Sequence, residues 1–214
     1  MSKNIADLRK DYQKQTLSED DVDSDPIEQF NSWWKDEVSS GMDEINAMTL
    51  ATASKAGIPD ARTVLLKSVS EEGFVFFTNY NSQKAKELEE NPNACLLFYW
   101  KDMERQVKIS GTVEKVTAAE SDAYFNSRPE GSKIGAWASP QSTVIESREV
   151  IEKNIEKYTT QFAGSFISRP AHWGGYLVKP SVLEFWQGRP SRLHDRIQYI
   201  KTVDGSWKIQ RLAP

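Results

Sequence analysis

The residues best suited to chemistry lie in Leu183-Glu184-Phe185-Trp186-Gln187-Gly188-Arg189-Pro190-Ser191-Arg192-Leu193-His194-Asp195-Arg196, which holds one of two histidines, one of seven tryptophans and three arginines. Read as extended backbone, its side chains alternate between faces. Leu183 and Phe185 then point to a core, and Glu184 and Trp186 point away. Past the Gly188–Pro190 break, Arg192, His194 and Arg196 share a face with Leu193 opposite. Two guanidiniums, an imidazole and a nearby indole suit a planar, anionic ligand. Arginine forks onto phosphate or stacks on a ring, and the indole supplies area. On composition alone the run is an edge strand with solvated charges and a structural histidine.

Other basic residues sit at the ends of apolar stretches. Arg62-Thr63-Val64-Leu65-Leu66-Lys67 carries a cation at each end. By pattern it is a half-buried strand with two solvated tips. A spacing of five puts Arg62 and Lys67 on opposite faces of a regular strand, so both serve one site only if the strand bends or bulges. Phe77-Thr78-Asn79 ends a strand, and Lys84 falls in the first turn of the next helix. A helix N-terminus with a lysine suits a phosphate, and a plain surface helix is the simpler reading. The Gln106 amide can both donate and accept. Tyr124 and Arg128, followed by Ser132, could bind a phosphate monoester, or Arg128 could merely offset a helix dipole.

Several chemistries lack their motifs. No G-x-G-x-x-G follows a strand, and neither a P-loop nor a G-x-S-x-G elbow is present. His172 and His194 are far apart, and no Cys/His/Asp cluster has metal-ligand spacing, so no metal is expected. The net charge of −4 argues against nucleic acid as partner. Cys95 is the single cysteine, which excludes an intrachain disulfide. No apolar run reaches the length of a membrane span, and the N-terminus has no apolar h-region, so a reducing, cytoplasmic setting is expected.

The elements that must hold these residues follow from punctuation and period. Residues 1–24 are expected to be a mobile segment, with one domain over 25–214. Asp25 caps a helix that opens at Pro26, shows an Ile27/Phe30/Trp34/Val38 stripe and stops at Gly41. Strands are expected at 47–54, 61–69, 74–79, 94–100 and 105–116, with a short helix over 83–90 behind Ser82. Thr117 and Glu120 form a capping box for a helix to about Ser127. Residues 128–146 read as irregular. Ser147–Phe162 reads as a helix burying Ile151, Ile155, Tyr158 and Phe162, with a Glu149–Lys153 pair. Strands at 175–187, 196–202 and 207–212 close the chain, the last two joined at Asp204-Gly205. The total is six to eight strands without βαβ alternation. That favours a mainly β, antiparallel, closed or partly closed barrel with flanking helices.

The Leu183–Arg196 run resembles the C-terminal signature of the pyridoxine (pyridoxamine) 5′-phosphate oxidases, in which Leu-Glu-Phe-Trp-Gln, four residues, and Arg-Leu-His-Asp-Arg recur. Further matches run in family order from Arg9 to Trp207–Pro214 and cover essentially the whole chain. The resemblance implies an FMN-binding split β-barrel, assembled as a homodimer with two sites at the subunit interface. It implies oxidation of pyridoxine 5′-phosphate or pyridoxamine 5′-phosphate by O2 to pyridoxal 5′-phosphate, releasing H2O2, and ammonia from the amine.

Residue by residue, the resemblance assigns FMN to Arg62, Val64, Leu65, Leu66, Lys67, Phe77, Thr78, Lys84, Gln106, Trp186 and Arg196. It adds Gln141 and Ser142, expected from the partner subunit. It assigns the substrate phosphate to Lys67, Tyr124, Arg128 and Ser132, and the substrate ring to Arg192 and His194, the catalytic pair. Arg9 and Tyr12 match an element that folds over the occupied site as a lid. Gln83 departs from the family, which often has a basic residue there. Two rivals stand beside this reading: another split-barrel flavin reductase, and a non-enzymatic protein that binds FMN or pyridoxal 5′-phosphate.

Overall fold

A computed structural model describes residues 4–8 and 10–214. The strands are β1 (Ala47–Ala53), β2 (Pro59–Leu65), β3 (Ser68–Ser70), β4 (Gly73–Asn79), β5 (Asn93–Trp100), β6 (Arg105–Lys115), β7 (Trp173–Gln187), β8 (Asp195–Lys201) and β9 (Trp207–Arg211). The helices are α1 (Pro26–Ser40), α2 (Gln83–Glu90), α3 (Ala118–Ser127), α4 (Glu130–Ala138) and α5 (Glu149–Phe162). The hydrogen-bonded strand order is β2-β1-β5-β6-β7-β4-β3, with β8 on β7 and β9 on β8. The β3–β4, β4–β7, β7–β8 and β8–β9 ladders are antiparallel. The fold is therefore mainly β and antiparallel with helices added, as expected.

The chain forms two compact units. The first takes the N-terminal segment to Thr49, Cys95–Gly111 and Pro180–Pro214; the second takes Leu50–Ala94 and Thr112–Lys179. The first is built on aromatic packing. Phe30 meets Phe98 at 5.3 Å and Trp100 at 5.8 Å, and Trp33 stands edge-on to Phe185 at 5.2 Å. Each such pair contributes about 1 kcal/mol beyond the area it buries. The cap of α1 forms as expected, with Asp25 accepting from the Ile27 N–H at 2.7 Å. The stripe forms in part, with Trp34 half-buried against Phe30. Ile27, Phe30, Trp33 and Glu37 are buried, while Val38 is exposed. Neither Glu37 carboxylate oxygen has a hydrogen-bond partner, and burial pushes its pKa up to about 7. The native state thus holds that proton better than the unfolded chain does. Its stabilising contribution is full below the ordinary Glu range and fades as pH rises through 7.

In the second unit, β4 pairs with residues 173–178 of β7. A methyl group on Gly175 would come within 2.8 Å of the Phe77 ring, so only glycine lets Phe77 lie flat there. Phe77 stacks on Tyr124 at 4.1 Å and on Trp173 at 5.5 Å. The Thr117–Glu120 capping box closes in full and starts α3. Two expectations are corrected. Residues 130–138, read as irregular, form α4, because packing of Ile134, Ala136 and Ala138 overrides the poor helix propensity of Gly131 and Gly135. The inner face of α5 is only half-buried: Ile151, Tyr158 and Phe162 are partly covered, the last two against Trp137, and Ile155 is exposed. Its i,i+4 ion pair is Arg148–Glu152 at 3.4 Å.

Candidate active site

The second unit carries a cavity of about 850 Å³. β2 contributes Arg62, Thr63, Val64 and Leu65, and β4 contributes Phe77, Thr78 and Asn79. Lys84 enters from the first turn of α2, Tyr124 from α3 and Ser132 from α4, with Arg128 between those two helices. Gln141 and Ser142 follow from the loop after α4. Trp173, Ser139 and Pro129 complete much of the wall. Arg62, Lys67, Lys84 and Arg128 all line this space, and no lining residue is acidic. In a chain of net charge −4, that concentration of positive charge marks an anion site.

How Arg62 and Lys67 reach one cavity is resolved by the backbone. The expected strand over 61–69 is two strands, β2 and β3, and Leu66-Lys67 is the break between them. The Lys67 N–H donates to Val75 O at 2.8 Å, which turns the chain. Leu66 is buried, and Lys67 Nζ lies 5.8 Å over the Tyr124 ring.

The four cations differ in what they already hold. Arg62 is spoken for: it donates to Leu50 O and Thr52 Oγ1, and to the carboxylates of Asp60 and Glu87. Lys84 is buried, and its Nζ meets only neutral oxygens, Ser82 Oγ at 3.4 Å and Gln141 Oε1 at 3.3 Å. Burial, then the Arg62 charge, lowers its pKa. Arg128 lies 4.6 Å over the Trp173 ring. Its Nη1 is buried without a hydrogen-bond partner among the described residues, and burial lowers its pKa. An orphan guanidinium nitrogen costs free energy until an anion satisfies it.

Gln141 also faces Thr78 Oγ1 at 3.4 Å. The Gln141–Ser142 pair, expected from a second subunit, therefore lines the cavity of its own chain. Gln83 donates to Glu87 Oε1 at 2.9 Å and does not line the cavity.

The first unit has its own cavity, of about 540 Å³, lined by Leu8, Lys10, Asp11, Tyr12, Arg189, Ser191, Arg192 and His194. Here the alternation expected after Gly188 fails. Pro190–Arg192 is a 3-10 turn, and Ser191 and Arg192 adopt left-handed backbone at φ 57° and 63°. Leu193 is exposed. His194 Nδ1 accepts from the Arg189 N–H at 3.1 Å, which puts the proton of the neutral ring on Nε2. Burial, then the Arg192 charge, lowers its pKa, so the ring is neutral at pH 7. Trp186 packs on His194 at 4.5 Å, and Tyr12 stands edge-on to Trp186 at 5.8 Å.

Arg196, across the ladder from Trp186, donates to Glu184 Oε1 and to Ala213 O, each at 2.8 Å. Glu184 is buried between Arg196 and Lys108. Burial raises its pKa, and the two hydrogen bonds outweigh this and hold it low. Gln106 is half-buried on β6 and lines neither cavity. Arg9 lies outside the described residues. Sequence reasoning missed Trp173, the floor under Arg128. The Trp-Gly-Gly run, a large ring beside two residues that admit close packing, was the available signal.

Residues 34–162 match the family model described as pyridoxamine 5′-phosphate oxidase, and residues 173–214 match that of the pyridoxine 5′-phosphate oxidase C-terminal dimerisation region. The chain belongs to the pyridoxamine 5′-phosphate oxidase family. It is 54% identical to the pyridoxine/pyridoxamine 5′-phosphate oxidase of Trichormus variabilis over 214 residues, the whole of both chains. It is 54% identical to that of Ralstonia pickettii over 211 residues, 99% of each. Among solved structures, PhzG from Burkholderia lata, in complex with tetrahydrophenazine-1-carboxylic acid, matches with a TM-score of 0.86. Identity there is 30%, with coverage of 91% of this chain and 95% of that one. A pyridoxamine 5′-phosphate oxidase-related, FMN-binding protein from Nostoc punctiforme matches with a TM-score of 0.69 at 15% identity, over 86% and 97% of the two chains, and so shares the fold. Family membership makes this chain an oxidoreductase. No helix among its described residues is long and apolar enough to cross a membrane.

Proposed function

We propose that this family member oxidises pyridoxine 5′-phosphate or pyridoxamine 5′-phosphate with O2 to pyridoxal 5′-phosphate, using FMN. Hydrogen peroxide is released, with ammonia from the amine. The observation that carries the reading is the orphan Nη1 of Arg128 in a cavity with three further cations and no carboxylate. A phosphate monoester dianion satisfies it, with Lys67, Tyr124 and Ser132 as the remaining donors.

The donor set also fits FMN. Lys84, buried with only neutral partners, and Arg62 would hold its phosphate, with Thr78 and Ser142 as hydroxyl donors and Gln141 as amide donor. Val64, Leu65 and Phe77 supply the apolar wall of β2 and β4, and Leu66, buried in the break after β2, is not part of the lining. FMN, when bound, would supply the redox chemistry, two-electron transfer from the substrate's C4′ carbon to O2. The protein's part is orientation and charge. The Arg192 guanidinium packs on the pyridine ring, and His194, with its proton on Nε2, donates to the ring hydroxyl or the phosphate. Tyr12 closes over them. Proximity carries more of the rate than acid–base catalysis.

We further infer a homodimer in which each site draws on both subunits, with Gln106, Trp186 and Arg196 contributing to the flavin. The match of residues 173–214 to a dimerisation region supports it. The relation to PhzG supports a second reading, a flavin enzyme acting on a larger carboxylate, but the orphan Nη1 of Arg128 favours a phosphate. The test is the visible spectrum of the purified protein. A yellow protein that bleaches with pyridoxine 5′-phosphate without air, and ignores free pyridoxine, is the expected result. Bleaching by the unphosphorylated vitamer to the same extent would overturn the phosphate reading.

A further inference from the structure

Glu104 closes the turn between β5 and β6, 90 residues from the N-terminal segment it touches. Its backbone is left-handed, at φ 56°, and its side chain is buried. A non-glycine residue in that conformation, carrying a buried carboxylate, is costly on both counts and persists only if its surroundings compensate. They do so from two directions. Glu104 Oε2 accepts the backbone N–H groups of Gln13 at 2.9 Å and Lys14 at 3.1 Å, and Oε1 pairs with Lys10 Nζ at 3.1 Å. Its carbonyl oxygen accepts the Gly188 N–H at 2.7 Å. One residue thus ties down both the 10–14 segment and the end of β7, from which Arg192 and His194 follow.

Tyr12 lies between these tethers. Its hydroxyl shares a hydrogen bond with Tyr99 at 3.1 Å, and its ring centroid is 5.9 Å from that of His194. A methyl group on Gly188 would sit 2.7 Å from the Tyr12 ring, so the ring lies directly on that glycine. Asp11 Oδ1 accepts the Ser191 N–H at 3.4 Å. Neither the family resemblance nor the cavity linings point to Glu104.

We propose that Glu104 is a positioning residue: its carboxylate fastens residues 10–14 as a strap across the Arg192–His194 loop and so holds Tyr12 against the imidazole. The effect on turnover rests on the oxidase reading; the strap itself does not. Lys10 is largely exposed, so its ion pair is screened, and the two charge-assisted backbone bonds carry most of the hold.

The test compares full-length, FMN-loaded wild type with Glu104→Ala, Glu104→Gln and Gly188→Ala. Gly188→Ala displaces Tyr12 while leaving the Glu104 carboxylate intact, and serves if Glu104→Ala fails to fold. Hydrogen exchange over residues 10–17 is read without substrate, and KM and kcat are read with pyridoxine 5′-phosphate. Glu104→Ala is expected to speed strap exchange and raise KM by about tenfold or more, the loss of one to two charge-assisted bonds. FMN retention and kcat should change little, and Glu104→Gln, which keeps one acceptor oxygen, should fall between. Gly188→Ala should raise KM with Glu104 in place. Wild-type exchange in Glu104→Ala would overturn the proposal, as would a loosened strap with unmoved KM in both Glu104→Ala and Gly188→Ala. If wild type fails to oxidise the phosphate ester at all, the oxidase reading falls, and exchange alone decides the strap.

Discussion

The cavity holding Arg128 is walled by β2, β4, α2, α3 and α4, whereas the one holding His194 is walled by residues 8–12 and 189–194, whose only regular piece is a 3-10 turn. In the first, ladders and helix caps set the geometry, and cations are left short of partners. In the second, buried tethers set it. Glu104, the Arg189–His194 bond and two consecutive left-handed residues do the work of a strand. Elements with few backbone bonds of their own open at low free energy. The first cavity is therefore a rigidly framed anion site, and the second a loop-built one that opens more readily.

Substitutions in the two cavities should separate these roles. The largest effect is expected for Arg192→Met: kcat for pyridoxine 5′-phosphate should fall roughly 100-fold with flavin still bound, as a mispositioned ring loses proximity. Unchanged steady-state kinetics would remove Arg192 from the mechanism. Next is Arg128→Ala, which should raise KM by about 30-fold, the worth of one lost hydrogen bond to a charged group at about 2 kcal/mol. An equal loss of activity towards free pyridoxine would deny it a phosphate. Lys84→Met should weaken FMN by about tenfold, read by flavin fluorescence quenching, and leave substrate KM nearly constant in the flavin-saturated protein. If KM moves and FMN does not, the division of labour within that cavity is wrong.

A smaller effect concerns protonation. The folded-state pKa of His194 lies below its ordinary 6.5, so the unfolded chain binds more protons as pH falls through that value, and the histidine's stabilising contribution is lost on acidification. Removing the Arg192 charge should move the His194 titration upward, as followed by imidazole NMR. A static or downward shift would show that Arg192 does not act on the ring. The smallest effect is Gln83→Arg, which restores a cation at an exposed helix start and should tighten FMN by about threefold.

Much of the fold was legible because its signals are local. Asp25-Pro26 and Thr117-Glu120 start helices through caps and dihedral limits that need no distant partner, whereas Ser82 stands at the start of α2 without a side-chain cap bond. The errors share a cause. Glu37 is buried and Val38 exposed because the neighbours of α1, not its own period, select its inner face. The helix at 130–138 was missed because burial of Ile134 outweighs two glycines. The strand over 61–69 breaks at Leu66-Lys67 because β4 accepts the Lys67 N–H. In the site, residue types were readable but their company was not. Nothing near Arg128 in sequence tells that Trp173 lies beneath it, or that no carboxylate is among the residues lining its cavity.

By itself, the sequence determined which side chains exist to meet an anion and an aromatic ring, and the caps and periods that start most elements. Only the tertiary structure decided which cations remain uncompensated. Arg62 and Arg196 are hydrogen-bonded to Glu87 and Glu184, while among the described residues Arg128 Nη1 has no hydrogen-bond partner and Lys84 Nζ bonds only neutral oxygens, with Asp60 and Glu87 acting on it through space. The physical reason is that charge compensation and desolvation depend on through-space neighbours a few ångströms away, and many of those neighbours lie far off along the chain, 12 positions for Arg196 and Glu184 and 90 for Glu104 and Lys14.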